Sequence, residues 1–239
     1  MKTKSFKLTY FLIALLVTVP NLYAISLRGS GKIVSKTLNV STFTGLQLIS
    51  SADVEISKGA DFSVVLSDYE NLIDTHELTV SDNKLKVGVK HSISLNNSRA
   101  KIKITIPGAF YSVYISGSGD VVLSNLNTIN ELAISGSGDI KSSTSDTYRD
   151  LELKISGSGD IQLNGNAQNT NIQLSGSGDI DLSDLQSQTV DCKLSGSGDI
   201  KVYAEKRLKA IITGSGDISY SGNPQVEKRI VGSGTIKQK

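Results

Sequence analysis

Residues 151–163 read Leu151-Glu152-Leu153-Lys154-Ile155, then Ser156-Gly157-Ser158-Gly159-Asp160, then Ile161-Gln162-Leu163. On both flanks apolar and polar residues alternate strictly, which marks strands with one buried face. The glycine-rich centre predicts a tight turn between them. The same unit recurs at Ser116–Asp120, Ser135–Asp139, Ser175–Asp179 and Ser195–Asp199, followed by Thr213-Gly214-Ser215-Gly216-Asp217 and Val231-Gly232-Ser233-Gly234-Thr235. Successive copies lie about 20 residues apart. Alignment on the turns exposes two apolar columns. Before the turn stand Ile115, Ile134, Ile155, Leu174, Leu194, Ile212 and Ile230; after it stand Val121, Ile140, Ile161, Ile180, Ile200, Ile218 and Ile236.

A chain with this period buries such columns by winding into a coil and stacking each rung on the previous one. The expected fold class is therefore all-β, a parallel β-helix or β-solenoid with coils of roughly 20 residues and rungs about 4.8 Å apart. A sandwich or meander is the competing architecture, but its hairpin partners have no need of the same residue type in the same place turn after turn. Residues 25–107 are β-rich and less regular. Alternating stretches there are Gly45–Ser51, Asp53–Ser57, Phe62–Leu66, Lys84–Lys90 and Ala100–Ile106, with a short helix or long loop over Tyr69–His76. Ser50-Ser51-Ala52-Asp53-Val54 and Arg28-Gly29-Ser30-Gly31-Lys32-Ile33 read as worn copies of the repeat. Residues 25–107 are thus expected to be irregular coils of the same domain as the regular repeat of 108–239; a separate small β-domain is the alternative.

Residues 1–24 combine Lys2, Lys4 and Lys7, an apolar run from Leu8 to Val19, and Ala24 at a cleavage-compatible position. That is the layout of a secretory signal peptide. The run falls short of the about 20 apolar residues that span a bilayer, although a retained N-terminal anchor is the alternative. No transmembrane anchor is expected in the mature chain. The formal charge of +2 turns to about −1 without those three lysines, and no basic run remains. Nucleic acid and anionic membranes are therefore poor partners. Cys192 is the one cysteine, so no intramolecular disulfide forms, and its phase with Val190 and Leu194 predicts a buried apolar thiol.

The paired turn glycines are Gly117 and Gly119, Gly136 and Gly138, Gly157 and Gly159, Gly176 and Gly178, Gly196 and Gly198, Gly214 and Gly216, and Gly232 and Gly234. They are expected to be architectural, adopting positive φ in the turn and letting adjacent rungs approach closely. The column Asp120, Asp139, Asp160, Asp179, Asp199 and Asp217 suggests Ca²⁺, as in glycine-aspartate β-rolls. Those rolls use G-G-x-G-x-D at a nine-residue period, whereas a lone Asp per coil is better suited to accept turn N–H groups. No metal or other cofactor is expected. Nor are catalytic residues: carboxylates sit where the repeat puts them, and GSG is not the G-x-S-x-G elbow. His76 and His91 lack a cysteine or paired carboxylate at ligand spacing and read as solvated polar residues.

Ile104-Thr105-Ile106-Pro107 leading through Val113 and Ile115 into SGSGDV and then repeated SGSGDI resembles the bacterial family of putative auto-transporter adhesins, head GIN domain. Phe43-Thr44-Gly45-Leu46, Ala52-Asp53-Val54-Glu55-Ile56 and Tyr69-Glu70-Asn71-Leu72 resemble its N-terminal half. The resemblance implies a secreted, periplasmic or cell-surface protein of a Gram-negative bacterium, pectin-lyase-like in fold without the lyases' catalytic residues, and adhesive by analogy. No C-terminal barrel, stalk or sorting segment follows Ile236-Lys237-Gln238-Lys239, so the chain is not expected to anchor itself as an autotransporter would. The expected function is a non-catalytic binding module for a protein or glycan at the cell envelope, with homo-oligomer formation open to it through its end rungs. A carbohydrate-active enzyme and a Ca²⁺-stabilised repeat protein are the alternatives.

Overall fold

The computed structural model describes residues 25–239. The signal-peptide reading of residues 1–24 lies outside them. Strands β1 (Ile25–Arg28), β2 (Ile33–Thr37), β3 (Gly45–Leu48), β4 (Asp53–Lys58) and β5 (Ser63–Tyr69) precede a short 3₁₀ turn at Ile73–Thr75. Next come β6 (His76–Ser81), β7 (Lys84–Val89), β8 (Ile93–Asn96) and β9 (Lys101–Ile106). The regular part carries β10 (Ser112–Ile115), β11 (Val121–Ser124), β12 (Glu131–Ile134), β13 (Ile140–Ser142), β14 (Asp146–Ile155), β15 (Ile161–Gln162) and β16 (Gly165–Leu174). Two long strands, β17 (Ile180–Leu194) and β18 (Ile200–Ile212), then bend around the coil before β19 (Ile218–Ser221), β20 (Gln225–Ile230) and β21 (Ile236–Gln238).

These strands form the expected all-β parallel solenoid. The segments before each turn stack as sheet one in the order β6–β7–β3–β10–β12–β14–β16–β17–β18–β20. The segments after it stack as sheet two, β2–β5–β9–β4–β11–β13–β15–β17–β18–β19–β21. The register is in phase: Ile115 lies beside Ile134, Ile134 beside Ile155, and Ile155 beside Leu174. Both apolar columns therefore fill the space between the sheets, and from Leu46 to Ile218 they are essentially sealed from water. A third inward strip, Tyr148–Ala167–Ser187–Ala204, closes the coil on its looser side. Cys192 is fully buried in sheet one's column, and burial pushes its thiol up to about 12.

Two features of the N-terminal half depart from simple succession. The rung β7–β9 lies outside the earlier rung β3–β4, because β3 is held between β7 and β10, and β4 between β9 and β11. Beyond it the sheets turn antiparallel, with β6 folding onto β7 through Asp82 (φ 52°) and Asn83 (φ 57°), the left-handed pair that a two-residue hairpin needs. On the other side β5 and β2 extend sheet two. Arg28–Ile33 keeps only its first half as a worn rung. Its β1 pairs in parallel with β8 in a separate two-stranded sheet, and Gly29 N–H donates to the Asn96 carbonyl at 2.9 Å, but its β2 runs antiparallel to β5.

Candidate functional site

The turn glycines owe their identity to the rung beneath. Among described glycines, positive φ occurs only at Gly31, Gly165 and Gly222, none of them in the repeated turn, which corrects the expectation that the turn needs it. The physical reason is the approach along the stack. Ser158 N–H donates to the Gly136 carbonyl at 3.0 Å, and that same oxygen lies 2.0 Å from where a Cβ on Gly157 would stand. The geometry repeats from Gly117 over Ser50 to Gly234 over Gly216. Ser50 and Ala52 occupy the glycine positions of the first such turn, and the chain below them takes a wider path from Lys90 to Ala100, through β8.

The aspartates form a ladder of their own. Asp120 N–H donates to Asp53 Oδ1 at 3.2 Å, Asp139 N–H to Asp120 Oδ1 at 2.9 Å, and Asp160 N–H to Asp139 Oδ1 at 2.9 Å. The series continues through Asp179, Asp199 and Asp217 and ends with Thr235 N–H on Asp217 Oδ1 at 2.8 Å. One oxygen of every carboxylate is thus committed to the next rung. Among the described residues no three His, Cys, Asp or Glu side chains converge as metal ligands.

His76 departs from the solvated reading. Its side chain is 1% exposed, and its Nε2 lies 2.8 Å from Oδ2 of the fully buried Asp68. Asp68 also accepts from Ser98 Oγ and from the N–H groups of Arg99 and Tyr69. Burial alone would raise this carboxyl, but the bonds from Ser98, His76 and the two amides outweigh it and hold it below 3.8. Serine and histidine both point at the aspartate and not at each other, so the trio ties β5 to β6 and the Ser98 loop without making a nucleophile. Sequence spacing carried no signal for it. His91 is exposed.

The outer face of sheet one carries aligned rows of polar and charged groups. Between the inward columns, register aligns Glu131, Glu152, Asn171, Asp191 and Lys209 in one outward row, and Asp150, Asn169, Thr189 and Arg207 in another. Asn169 Nδ2 donates to Asp150 Oδ1 at 2.7 Å, and Thr189 Oγ1 to Asn169 Oδ1 at 2.8 Å. These rows border a groove of about 640 Å³. Within it Asp191 Oδ1 is buried and has no partner. A second groove of about 530 Å³ adjoins Tyr114, whose ring lies 4.3 Å from Lys84 Nζ and whose hydroxyl donates to Glu131. Burial, with that bond, pushes the Tyr114 hydroxyl up to about 12; the bond in turn holds Glu131 below its ordinary value. Their sequence signal lies in the polar positions between the apolar columns, which repeat at the same period.

Among the described residues no helix is long and apolar enough to cross a membrane. No curated protein matches the chain significantly. A putative adhesin from Bacteroides fragilis superposes with a TM-score of 0.81 at 25% identity, covering 89% of this chain and 100% of that one. A putative lipid binding protein from Parabacteroides distasonis gives 0.73 at 26%, covering 90% and 100%. A putative adhesin from the same species shares the fold at 0.68 and 23%, again covering 90% and 100%. The family model for putative auto-transporter adhesin, head GIN domain, matches residues 42–224, from before the worn turn at Ser50 through the turn at Gly214 and Gly216 and its Asp217. This chain belongs to that family.

Proposed function

We propose that the chain is an exported, adhesin-like contact module that binds a glycan through the outer face of sheet one. Family membership and the layout of residues 1–24 support export to the cell envelope. The observation that carries the glycan reading is the unpartnered, buried Asp191 Oδ1 in a groove bordered by amide, hydroxyl and guanidinium groups from Asn169, Asn171, Thr189 and Arg207. A buried acceptor without a donor is unfavourable by about 1–3 kcal/mol, which a ligand hydroxyl relieves. Tyr114 supplies a ring face at the neighbouring groove. A protein partner would more naturally meet an apolar centre; of the exposed large apolar residues Tyr111 adjoins the groove through Asn130 and Asp150, whereas Ile25, Ile33 and Val231 line neither groove.

The runner-up, a glycoside hydrolase, would use the carboxylates of the same groove. That chemistry needs one of them kept protonated as the acid, a role the Tyr114 bond denies to Glu131 by holding it ionised. The test is a screen of the mature chain, residues 25–239, against an oligosaccharide array, followed by titration of the best ligand into the parent, Asp191→Ala and Tyr114→Ala. Loss of binding in Asp191→Ala without loss of fold is expected. Binding indifferent to both substitutions would overturn the assignment, and release of reducing sugar by the parent would favour the enzyme.

A further inference from the structure

A stack of rungs has to end, and at an end the core between its sheets loses its next layer. Here β2 forms one lip and β6 the other. The segment after β2 crosses between them, and Phe43 plugs the core edge-on against Phe62 at 5.5 Å and Phe110 at 6.4 Å. The plug is incomplete. Between residues 36–40 and β6 remains a cleft of about 390 Å³, within the size range of small-molecule sites. Its apolar wall is Leu38, Val40, Leu66, Ile73 and Leu78, of which Leu66 and Ile73 belong to the sealed core and the others are only half-buried.

The polar side chains of the cleft are Lys36, Asn39, Asp74, His76 and Lys90. Lys36 and Lys90 border it with Asp74. Lys36 Nζ is bonded to Asp74 Oδ1 at 2.8 Å, and Lys36 and then Lys90 hold the Asp74 carboxyl below its ordinary value. At the rim two ammonium groups stand against one carboxylate, with the Asp68 carboxylate buried behind His76. His76 completes the wall: its Nε2 is taken by Asp68, and its Nδ1 is buried with no partner. With Nε2 donating to the Asp68 carboxylate, the neutral ring leaves Nδ1 as an acceptor that offers nothing to an anion.

We propose that this cleft binds a single-chain amphiphile with an anionic head, a fatty acid being the simplest, its tail along Leu38, Val40 and Leu78 and its head at Lys36 and Lys90. The volume has room for one short acyl tail and not for the two of a phospholipid. The cleft shares no lining residue with the two grooves on sheet one's outer face, so this site stands or falls independently of glycan binding.

The test is calorimetric titration of residues 25–239 with hexanoate, octanoate and decanoate below their micelle concentrations, with decylamine as the charge-reversed control. Affinity is expected to rise about threefold to fourfold per added methylene until the cleft is full, and decylamine to bind at least about tenfold more weakly than decanoate. Lys90→Glu, at an exposed position that leaves the core intact, should weaken decanoate about tenfold. Leu78→Glu should abolish binding, while Asp191→Ala should leave it unchanged. No saturable binding, affinity independent of tail length, equal binding of decylamine, or an unaffected Lys90→Glu would each overturn the proposal. So would binding confined to phosphatidylglycerol vesicles, which would mark a membrane-docking surface, or a concentration-dependent dimer that excludes decanoate, which would mark a contact between copies.

Discussion

Replacing Gly157 by alanine tests the reason for the repeat's glycines. The new Cβ would lie 2.0 Å from the Gly136 oxygen and 2.8 Å from the Ser135 carbonyl carbon, against ordinary contacts of about 3.5 Å. The rungs must therefore part by more than an ångström at that corner. Overpacking of this kind is destabilising by about 1–3 kcal/mol. Parting also strains the Ser158-to-Gly136 and Ser156-to-Ile134 backbone bonds, at 3.0 and 2.9 Å, each contributing about 1 kcal/mol. The sum is a loss of about 3–5 kcal/mol, read as a fall in the denaturation midpoint followed by circular dichroism. Gly88→Ala and Gly108→Ala are the controls: both sites have open space and no positive φ, so they should be neutral or stabilising by about 0.4–1 kcal/mol. Gly157→Asn separates the two explanations, since asparagine tolerates positive φ but carries the same Cβ. If Gly157→Asn proves clearly more stable than Gly157→Ala, or if alanine costs less than about 1 kcal/mol, close approach is not the reason for the glycine.

The aspartate ladder predicts that Asp139→Ala, which strips the acceptor from Asp160 N–H, lowers stability by about 1 kcal/mol while Asp139→Asn retains most of it; EDTA and millimolar Ca²⁺ should both leave the thermal midpoint of the parent unchanged, and a large calcium-dependent rise would mean that the free oxygens bind the ion. Asp68 is depressed below 3.8 in the fold, so its contribution is complete above the unfolded value and fades as pH falls through the folded one. Acid titration of Asp68→Asn should accordingly show a shallower loss of stability below about pH 4 than the parent, and identical acid profiles would count against the buried hub. Lys228 stands in sheet one's inward column, above Ala210 and between exposed Val226 and Ile230 on an edge strand whose other side is unpaired among the described residues. An inward charge at an edge discourages further stacking, so Lys228→Val should increase self-association by sedimentation velocity, and an unchanged distribution would show that the charge has no such role.

The apolar columns made the solenoid legible because each rung obeys the same local rule: strand alternation on both sides of a glycine turn, repeated at one period, leaves stacking as the way to bury every Ile and Leu. The five alternating stretches of the N-terminal half also became strands, β1 and β2 flank the Arg28–Ile33 copy, and β6 and β8 lie outside all of these. The β6–β7 turn at Asp82-Asn83 has hairpin chemistry without a glycine, since both residue types tolerate positive φ. The proposed glycan grooves lay hidden in plain periodicity, in the polar rows between the columns.

By itself the sequence determined the coil period, the inward and outward faces of each regular rung, and the burial of Cys192, all of which follow from alternation along a few neighbouring residues. Only the tertiary structure decided that β7–β9 lies outside β3–β4, that Asp68 and His76 pair, and that a cleft stays open beside Phe43, because each depends on which distant strands become neighbours. The turn glycines show the boundary most clearly. Their positions are plain in the sequence, but the oxygen that forbids a side chain there belongs to another rung.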